Sequence, residues 1–491
     1  MKLKDVLAGV PRLDFNGNET EDIQGIAYSS KNVQPGFMFT ALKGMNADGL
    51  EFIEEALHHG AVAVLSDRAK PDNFTQTWIQ VSDTREALAL SSANFYSHPS
   101  QKMKVIGITG TKGKTTITYI LEEILKKSRF IPGVIGTISY REPKMTVPAE
   151  RTTPEAPDIQ RILCNMFDHG VTHCIMEVSS HALDLKRILG IGFDVVVFVN
   201  LSGDHLDYHQ TMEKYFEAKK RLFFLNQKKR MAVVNEDDPW GKKLLSQLST
   251  GAMTYGIEPG AMVRGENFKL NEKGIEASVK YPEGQLSISS SLLGKPNLYN
   301  ILASVAVALT LNIPLSAIKE GIASLKGVPG RFEKIENSLG FHIFVDYAHT
   351  DDALKNLLET VRGLKPKRII LVFGAGGDRD KTKRPRMGEA AGTLSDRTII
   401  TSDNPRSEEP MAIISDIEKG IKKTGTQNYE IIPDRREAIA HALSIGEKGD
   451  YILVAGKGHE DYQILGDKTI HFDDAEVIRE ILQEKGKTEI G

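Results

Sequence analysis

Short apolar runs alternate with longer stretches of helical periodicity along most of the chain. Strands are predicted at 37–42, 62–66, 78–81, 104–109, 173–178, 195–200, 231–235, 343–347, 368–373, 398–402 and 451–455. Helices are predicted between them, among others at 52–59, 84–95, 117–127 and 301–311. This alternation is typical of largely parallel sheets covered by helices, so the pattern predicts the α/β class.

Two segments rich in polar residues or in glycine and proline interrupt the pattern, at 99–102 and at 327–331. We therefore predict three domains, which comprise residues 1–100, 101–331 and 332–491. The length of 491 residues fits about three domains of ordinary size. Ligands of such open sheets bind at the carboxyl ends of strands, where the polar clusters described below are expected to lie.

Composition narrows the class of protein. Hydrophobic residues make up 40% and charged residues 26% of the chain, as in ordinary globular proteins. The net charge of −3 argues against a general nucleic-acid or membrane-surface binder, because both need a basic excess. No signal-peptide core and no run of about 18 apolar residues is visible. Cys164 and Cys174 are expected to be reduced core residues, so we predict a cytoplasmic protein without membrane insertion.

The sequence ITGTKGKTT at 108–116 joins a predicted strand to a predicted helix. Its spacing is G-x-x-G-K-T, shorter than the usual G-x-x-x-x-G-K-[ST]. A strand, a glycine-rich turn and a helix in this order direct backbone N–H groups at one point, where a polyphosphate can bind. Lys114 adds a positive charge, and the Thr115 hydroxyl suits magnesium. We predict an ATP site in a central, P-loop ATPase-like parallel sheet.

Acidic and imidazole groups follow two further strands of the same block. Glu177 ends one strand, and His205 lies in the loop DHLDYH at 204–209. Oxygen ligands with one imidazole fit magnesium better than zinc. The loop could instead be a polar turn whose histidines cap helices, and a zinc pair of His205 and His209 lacks cysteine partners or an HExxH pattern. Lys219 lies either on a solvated helix face or near the metals, where it would offset charge.

Two loops of the third block carry groups that suit a zwitterion. The segment TSDNPRSEEP at 401–410 directly follows a predicted strand, and its Arg406 is a natural bidentate partner for a carboxylate. Glu460, in GKGHE at 456–460, could bind an ammonium group. Either loop could be a plain turn, but together they predict an amino-acid site. The basic segment at 381–386 lacks interleaved aromatic residues, which favours an anionic small molecule over nucleic acid.

These motifs, in this order, resemble those of the Mur ligase family over essentially the whole chain. The matching segments are GTKGKTT, MEVSSHALDLKR, NLSGDHLDYH, the lysine of AKK, GKPNLYN, GRFE, DYAHT, GGDRDKTKRP, DNPRSEEP and AGKGHEDYQ. DNPR resembles the members that add meso-diaminopimelate, whereas lysine-adding members have DNPA-like loops. The resemblance implies a three-domain fold whose C-terminal domain is Rossmann-like.

The resemblance also implies an activity. The enzyme would be an ATP-dependent acid–amino-acid ligase of peptidoglycan synthesis, acting in the cytoplasm as a monomer with Mg²⁺. It would join meso-diaminopimelate to UDP-N-acetylmuramoyl-L-alanyl-D-glutamate through an acyl phosphate. Its partners would be these two substrates and ATP, with no nucleic acid.

Residue roles carry over motif by motif as implications of the resemblance. The catalytic group would be Lys114, Glu177, His205 and Lys219, and the metal ligands Thr115, Glu177, His205 and Lys219, the lysine as a carbamate. The ATP contacts would be Gly110, Thr111, Lys112, Gly113, Lys114, Thr115, Thr116, Asn300, Arg331, Asp346 and His349. The UDP-substrate contacts would be Ser30, Met45, Asn46, Ala47, Thr152, Thr153, Ser179 and Arg187. The diaminopimelate contacts would be Arg379, Asp403, Asn404, Pro405, Arg406, Gly456 and Glu460.

The chain departs from the family pattern at five positions, which are Ser29, Lys112, Arg151, Leu185 and Asp351. Three alternatives remain at this stage. The first is the same ligase acting on L-lysine, and the second is a folylpolyglutamate-synthase-like ligase, which would not explain DNPR. The third is a non-catalytic nucleotide-binding paralogue, which would be expected to lose at least one of the four catalytic residues.

Overall fold

A computed structural model describes residues 1–44, 47–225, 230–249 and 251–488. Its contacts group the chain into two compact units. Unit 1 comprises Met1–Leu201, Glu213–Tyr255 and Val305–Ala317, and unit 2 comprises Ser202–Met212, Gly256–Ser304 and Ile318–Gly491. The three-domain boundaries at 100/101 and 331/332 remain predictions. Among the described helices, none combines the length and the apolar character needed to cross a bilayer.

The N-terminal part of unit 1 is a five-stranded sheet in the order β1-β5-β4-β3-β2, parallel except for β1. Its strands are β1 Asp14–Asn16, β2 Gly25–Ala27, β3 Phe37–Thr40, β4 Ala63–Ser66 and β5 Thr77–Gln80. Its helices are α1 Leu3–Val6, α2 Ile53–His58 and α3 Thr84–Phe95. Met38 and Phe39 point to opposite faces and join separate apolar clusters, so the sheet is covered on both sides.

The rest of unit 1 contains the predicted central sheet. Its strands are β6 Lys104–Thr109, β7 Pro132–Ile135, β8 Ser139–Glu142, β9 Met145–Pro148, β10 His173–Glu177, β11 Val195–Phe198, β12 Met231–Asn235 and β13 Ala252–Gly256. The order is β13-β12-β11-β6-β10-β7-β8-β9, parallel from β13 to β7. Only β7, β8 and β9 among them pair antiparallel. Glu177 pairs with Ile108 and Phe198 with Thr109, so the carboxyl ends of three neighbouring strands lie together.

The next helices along the chain are α4 to α11, and the first of them begins at the phosphate loop. They are α4 Lys114–Lys127, α5 Ala156–Asp168, α6 Ser180–Asp184, α7 Leu206–His209, α8 Met212–Lys220, α9 Pro239–Leu245, α10 Lys295–Thr310 and α11 Leu315–Ser324. Short 3₁₀ helices lie at Ser30–Asn32, Gly49–Phe52, Pro99–Gln101 and Arg221–Phe224. Helix α4 buries Ile117, Leu121 and Ile124, a spacing that places one apolar face on the sheet.

Unit 2 contains a meander and a second α/β sheet. The antiparallel meander is β14 Val263–Asn271, β15 Gly274–Tyr281 and β16 Gly284–Ser290. The larger sheet comprises β17 Glu333–Ile335, β18 His342–Asp346, β19 Ile369–Phe373, β20 Arg397–Ile400, β21 Tyr429–Ile431 and β22 Tyr451–Ala455, and the hairpin is β23 Tyr462–Leu465 with β24 Lys468–His471. The helices are α12 Asp351–Gly363, α13 Lys383–Leu394, α14 Pro410–Lys423, α15 Arg435–Ile445 and α16 Asp474–Thr488.

The larger sheet of unit 2 has the order β17-β18-β22-β19-β20-β21, and only β17 runs antiparallel. Along β19, Leu371 and Phe373 join one apolar cluster, whereas Ile370 and Val372 join the other. Both faces are therefore buried, which explains the continuous apolar run in the sequence. This helix-covered parallel sheet confirms the Rossmann-like prediction.

Candidate active site

The phosphate loop lies between β6 and α4, as the sequence predicts. Gly113 has φ +91°, a backbone conformation that favours glycine, and it precedes the first residue of the helix. Gly113 is the N-cap residue and has no side chain that could cap the helix. Lys114 Nζ donates hydrogen bonds to the carbonyl oxygens of Gly110 (2.9 Å) and Thr111 (3.1 Å). The helix N-terminus and a lysine therefore lie together, as an anion site requires.

Asn200, a residue that sequence reasoning did not assign to the site, supports this loop. Its Oδ1 accepts hydrogen bonds from the amides of Thr111 (3.1 Å) and Lys112 (2.9 Å), and its Nδ2 donates to the Lys112 carbonyl oxygen (3.2 Å). The sequence feature that could have identified Asn200 is its position just after β11, the strand next to β6. Two loop amides thus bond to Asn200, which fixes the loop conformation.

We expect Asn200→Asp to raise the KM for ATP about tenfold. Aspartate can accept from both amides but cannot donate to Lys112, and it places a negative charge beside the loop. A hydrogen bond contributes about 0.5–1.5 kcal/mol, and about 1.4 kcal/mol corresponds to a tenfold change. Steady-state kinetics with varied ATP measure the effect. Asn235→Asp is the control, since Asn235, the last residue of β12, donates to the Val199 carbonyl oxygen and accepts from the Asp237 amide. Equal KM values for the two variants would contradict the role of Asn200.

Glu177 lies at the centre of a hydrogen-bond network at the end of β10. Its carboxylate is 1% exposed and accepts from the Thr115 hydroxyl at 3.1 Å. Thr137, which the sequence analysis did not select, donates to the same carboxylate through its amide (2.9 Å) and its hydroxyl (2.9 Å). The Glu177 carboxylate and the Thr115 hydroxyl, which lies at the start of the phosphate-loop helix, are hard oxygen ligands. Thr115 and Glu177 therefore fit a magnesium ion.

Lys219 is buried rather than solvated. Its side chain is 1% exposed, and its Nζ donates to the carbonyl oxygen of Gly110 at 2.9 Å. Tyr215 covers it, with Nζ 4.5 Å from the ring centroid. Lys114 and Lys219 therefore share one carbonyl of the phosphate loop. A carbamate on Lys219 would replace one of these two cations by an anion and so remove the repulsion between them.

The residues predicted to contact the muramoyl dipeptide lie around the end of β10. The Thr153 hydroxyl donates to the Glu177 carbonyl oxygen (2.8 Å) and accepts from the Ser179 amide (3.1 Å). Arg187 donates to the Thr153 carbonyl oxygen (3.1 Å), and burial lowers the pKa of Arg187 while Glu155 opposes this shift. Thr152 joins the network through Thr137, at 3.1 Å. Thr152, Thr153, Ser179 and Arg187 are thus brought together.

A charged cluster flanks this network. Glu155 contacts Arg187 at 2.8 Å and Arg151 at 3.1 Å. Arg85 lies 3.6 Å from the same carboxylate. The departure at Arg151 therefore adds a third guanidinium beside Glu155.

The uridine-diphosphate residues are only partly described. Ser30 is buried, and its hydroxyl donates to Glu55 Oε2 at 2.6 Å. Ala47 is exposed. Met45 and Asn46 lie outside the described residues.

Unit 2 contains a cavity of about 830 Å³ at the carboxyl ends of its parallel strands. The predicted diaminopimelate residues that line it are Arg379, Asp403, Asn404, Arg406, Gly456 and Glu460. Pro405 is buried in the same loop. Because these residues follow β19, β20 and β22, the parallel sheet is what brings them to one edge.

Acceptor groups gather at one part of this cavity. Asn404 Nδ2 donates to Glu460 Oε2 at 2.8 Å, and Tyr347 donates to Glu460 Oε1 at 3.3 Å. Gly456, at φ +119°, allows close approach of Asp403, because a Cβ there would lie 2.4 Å from Oδ2. Burial, followed by the charge of Asp403, raises the pKa of Glu460. Two carboxylates that repel each other would be stabilised by an ammonium group.

Arginines provide the opposite charge at the cavity. Arg406 Nη1 donates to the Gly377 carbonyl oxygen at 2.8 Å, which orients the guanidinium. Arg379 Nη1 donates to the Asp378 carbonyl oxygen at 3.1 Å. The cavity therefore combines carboxylate-binding and ammonium-binding groups, as a zwitterionic ligand requires.

Some of the remaining predicted residues of unit 2 line this cavity, and others have different surroundings. His205 and His349 line the cavity, and burial lowers the pKa of His349. Arg331 lies over the Tyr347 ring at 4.6 Å. Asp346 accepts from the Phe332 amide at 2.7 Å. Asn300 is buried, and its Nδ2 donates to Asn297 at 3.0 Å. His205 and Lys219 belong to different units, so their joint role as ligands stays a prediction.

Comparison with known proteins assigns the chain to a family. Residues 22–96 match the model described as Mur ligase family, catalytic domain. Residues 108–308 match the Mur ligase middle domain, and residues 330–458 match the Mur ligase, glutamate ligase domain. A parallel sheet with a phosphate loop, together with a cavity lined by carboxylates and guanidinium groups, is consistent with a ligase. The chain belongs to the Mur ligase family.

Several relatives within the family carry the name UDP-N-acetylmuramoyl-L-alanyl-D-glutamate–2,6-diaminopimelate ligase. The protein of this name from Caldanaerobacter subterraneus is 45% identical over 99% of this chain and 100% of its own length. The one from Solibacter usitatus is 43% identical over 99% of both chains. A solved structure of a ligase with this name is 30% identical, covers 99% of both chains and has a TM-score of 0.71.

Proposed function

We propose that the chain is an ATP-dependent ligase that adds meso-2,6-diaminopimelate to UDP-N-acetylmuramoyl-L-alanyl-D-glutamate in peptidoglycan synthesis. The observation that carries the proposal is the cavity of unit 2, where Arg406, Asp403 and Glu460 come together. The names of relatives at 43–45% identity support the same activity.

The charges at the cavity favour diaminopimelate over L-lysine. One amino group of the amino acid must remain available as the nucleophile, so the cavity binds the other end of the molecule. In diaminopimelate that end carries an ammonium and a carboxylate, which match Glu460 and Arg406. In L-lysine it carries an amine alone, and Arg406 would then have no carboxylate partner.

The reaction proceeds in two steps. A carboxylate oxygen of the D-glutamyl residue attacks the γ-phosphorus of ATP, the bond to the β-phosphate oxygen breaks, and an acyl phosphate and ADP form. The neutral amine of diaminopimelate then attacks the acyl carbon. The C–O bond to phosphate breaks, the proton lost by the nitrogen passes to the departing phosphate, and an amide and inorganic phosphate result. The chain's own contribution is to position the three ligands and to supply charge, with Lys114 at the phosphates.

Magnesium fits the oxygen ligands at the phosphate loop. Thr115 and Glu177 would hold one ion, and His205 with a carbamate on Lys219 would hold a second. Bound magnesium would neutralise charge on the phosphates. The two hydrogen bonds from Thr137 orient the Glu177 carboxylate.

The remaining assignments belong to the same proposal. The other predicted ATP contacts, which include Asn300 and Arg331, would hold the nucleotide, and Ser30 and Arg187 would contact the UDP-linked substrate. Because ATP and a UDP-linked precursor are cytoplasmic metabolites, we place the reaction in the cytoplasm. We also propose that the protein acts as a monomer.

A phosphate-release assay with two amino acids tests the proposal. We expect purified protein with Mg²⁺, ATP and the UDP-linked dipeptide to release phosphate when meso-diaminopimelate is added, and far less with L-lysine. Equal turnover with L-lysine would reject the amino-acid assignment. No turnover with either amino acid would favour a non-catalytic nucleotide-binding protein. Omission of the UDP-linked dipeptide is the control for ATP hydrolysis alone.

A further inference from the structure

A fully buried ion pair lies beneath the amino-acid cavity of unit 2. The side chains of Arg435 and Asp474 are both 0% exposed. Arg435 Nε donates to Asp474 Oδ1 at 2.7 Å, and Nη2 donates to Oδ2 at 2.7 Å. The two residues begin helices α15 and α16, so the pair joins the first turns of two helices.

The remaining donors of Arg435 bond to the last residue of β22 and to the second residue after β20. Nη2 donates to the carbonyl oxygen of Ala455 at 3.1 Å, and Nη1 donates to that of Ser402 at 3.4 Å. Ser402 directly precedes Asp403, and Ala455 directly precedes Gly456. One guanidinium thus bonds to the backbone immediately before both loops of the proposed amino-acid site.

The sheet itself does not pair these two strands. In the strand order, β19 lies between β20 and β22, so ladder hydrogen bonds do not join the ends of β20 and β22 directly. Yet the site depends on contacts between the two loops, such as the hydrogen bond from Asn404 to Glu460 at 2.8 Å. A group that contacts both strand ends can fix their separation, and Arg435 is in that position.

The use of a charged residue here needs an explanation. Apolar residues of similar volume often stabilise a buried position as well as an ion pair does. An apolar pair, however, would leave the carbonyl oxygens of Ser402 and Ala455 without the hydrogen bonds that Arg435 donates to them. The planar fork of Arg435 forms two bonds to the carboxylate and two to carbonyl oxygens, whereas a lysine has only three donors and no fork.

We propose that Arg435 is a positioning residue of the amino-acid site, which sets the separation of the loops after β20 and β22 through its bonds to Ser402, Ala455 and Asp474. Arg435 acts on the ligand only through Asp403, Asn404 and Glu460. The inference rests on the proposed function for the identity of the ligand, but the geometry of the loops can be tested separately.

The test compares Arg435→Lys with a matched control. Lysine keeps the charge but loses the fork, so we expect the KM for meso-diaminopimelate to rise about tenfold, as for other residues that orient direct contacts. The KM for ATP should change less than twofold. Arg368→Lys is the control, because Arg368 forms a similar pair with Asp450 (Nε to Oδ1, 3.1 Å) before β19, at the opposite end of the sheet. It should leave both KM values unchanged.

Hydrogen exchange provides a readout that does not need catalysis. We expect amides of residues 403–408 and 456–461 to exchange faster in Arg435→Lys than in the wild type, and to be unchanged in Arg368→Lys. Asp474→Asn should show the same changes in KM and in hydrogen exchange as Arg435→Lys. It provides a second test if the lysine variant fails to fold. An unchanged KM for diaminopimelate in the folded lysine variant would overturn the inference. If the wild type shows no amino-acid-dependent turnover, the proposed function fails, and unchanged exchange alone would then reject the positioning role.

Discussion

We expect Lys219→Ala to lose about a thousandfold in ligase activity and to regain part of it when a small carboxylate such as formate is added. Lys219 is 1% exposed, and its Nζ lies 2.9 Å from the Gly110 carbonyl oxygen in the phosphate loop. Removal of one preorganised electrostatic group at a reacting centre lowers kcat by about 10² to 10³. A free carboxylate restores the charge but is not held in place, so the recovery should be partial.

The neighbouring lysine is the matched control for this prediction. Lys220 forms an ion pair with Glu217 one turn earlier on the same helix, and Lys220→Ala should retain nearly full activity. Lys219→Met fills much of the same volume, so an inactive variant with an unchanged Tm would separate a chemical role from a packing role. Phosphate release with and without formate is the measurement. Full activity of Lys219→Ala without any carboxylate would refute the carbamate.

The burial of Lys219 illustrates what the sequence does not reveal. A lysine in AKKR is compatible with a solvated helix face, and only the packing of α8 shows that Lys219 is buried whereas Lys220 pairs with Glu217. The supporting contacts of the phosphate loop are equally hidden. Asn200 is 89 residues from Thr111 in the chain, and an asparagine carries no motif of its own. Contacts of this kind depend on which strands become neighbours.

Other features follow from the sequence directly. Strands such as β19 and β22 are buried on both faces, so each appears as a continuous apolar run and its limits are predicted within one or two residues. The loops after β20 and β22 could be assigned to one site because parallel strands share one carboxyl edge. The meander β14–β16 was not predicted. Its strands alternate exposed and buried residues, as in GQLSISS of β16, and contain few large apolar side chains.

We expect Arg406→Ala to raise the KM for meso-diaminopimelate by about 30- to 700-fold, while the KM for ATP changes little. Loss of one partner of a buried, hydrogen-bonded charge pair weakens binding by about 2–4 kcal/mol, and about 1.4 kcal/mol corresponds to a tenfold change. Arg406 adopts φ +54°, and alanine also carries a Cβ, so the substitution does not alter that backbone strain. Steady-state kinetics with varied diaminopimelate measure the effect.

Two further variants show whether the guanidinium recognises a carboxylate. Arg386 also lines the cavity, but it is half exposed and paired with Asp351 at 2.7 Å, so Arg386→Ala should change the KM less than threefold. Arg406→Lys keeps the charge but loses the bidentate fork, and it should fall between alanine and the wild type. If the partner is the distal carboxylate of diaminopimelate, Arg406→Ala should also bring the kcat/KM values for diaminopimelate and L-lysine close together. If Arg406→Ala keeps the preference for diaminopimelate, another group of the cavity binds the distal carboxylate.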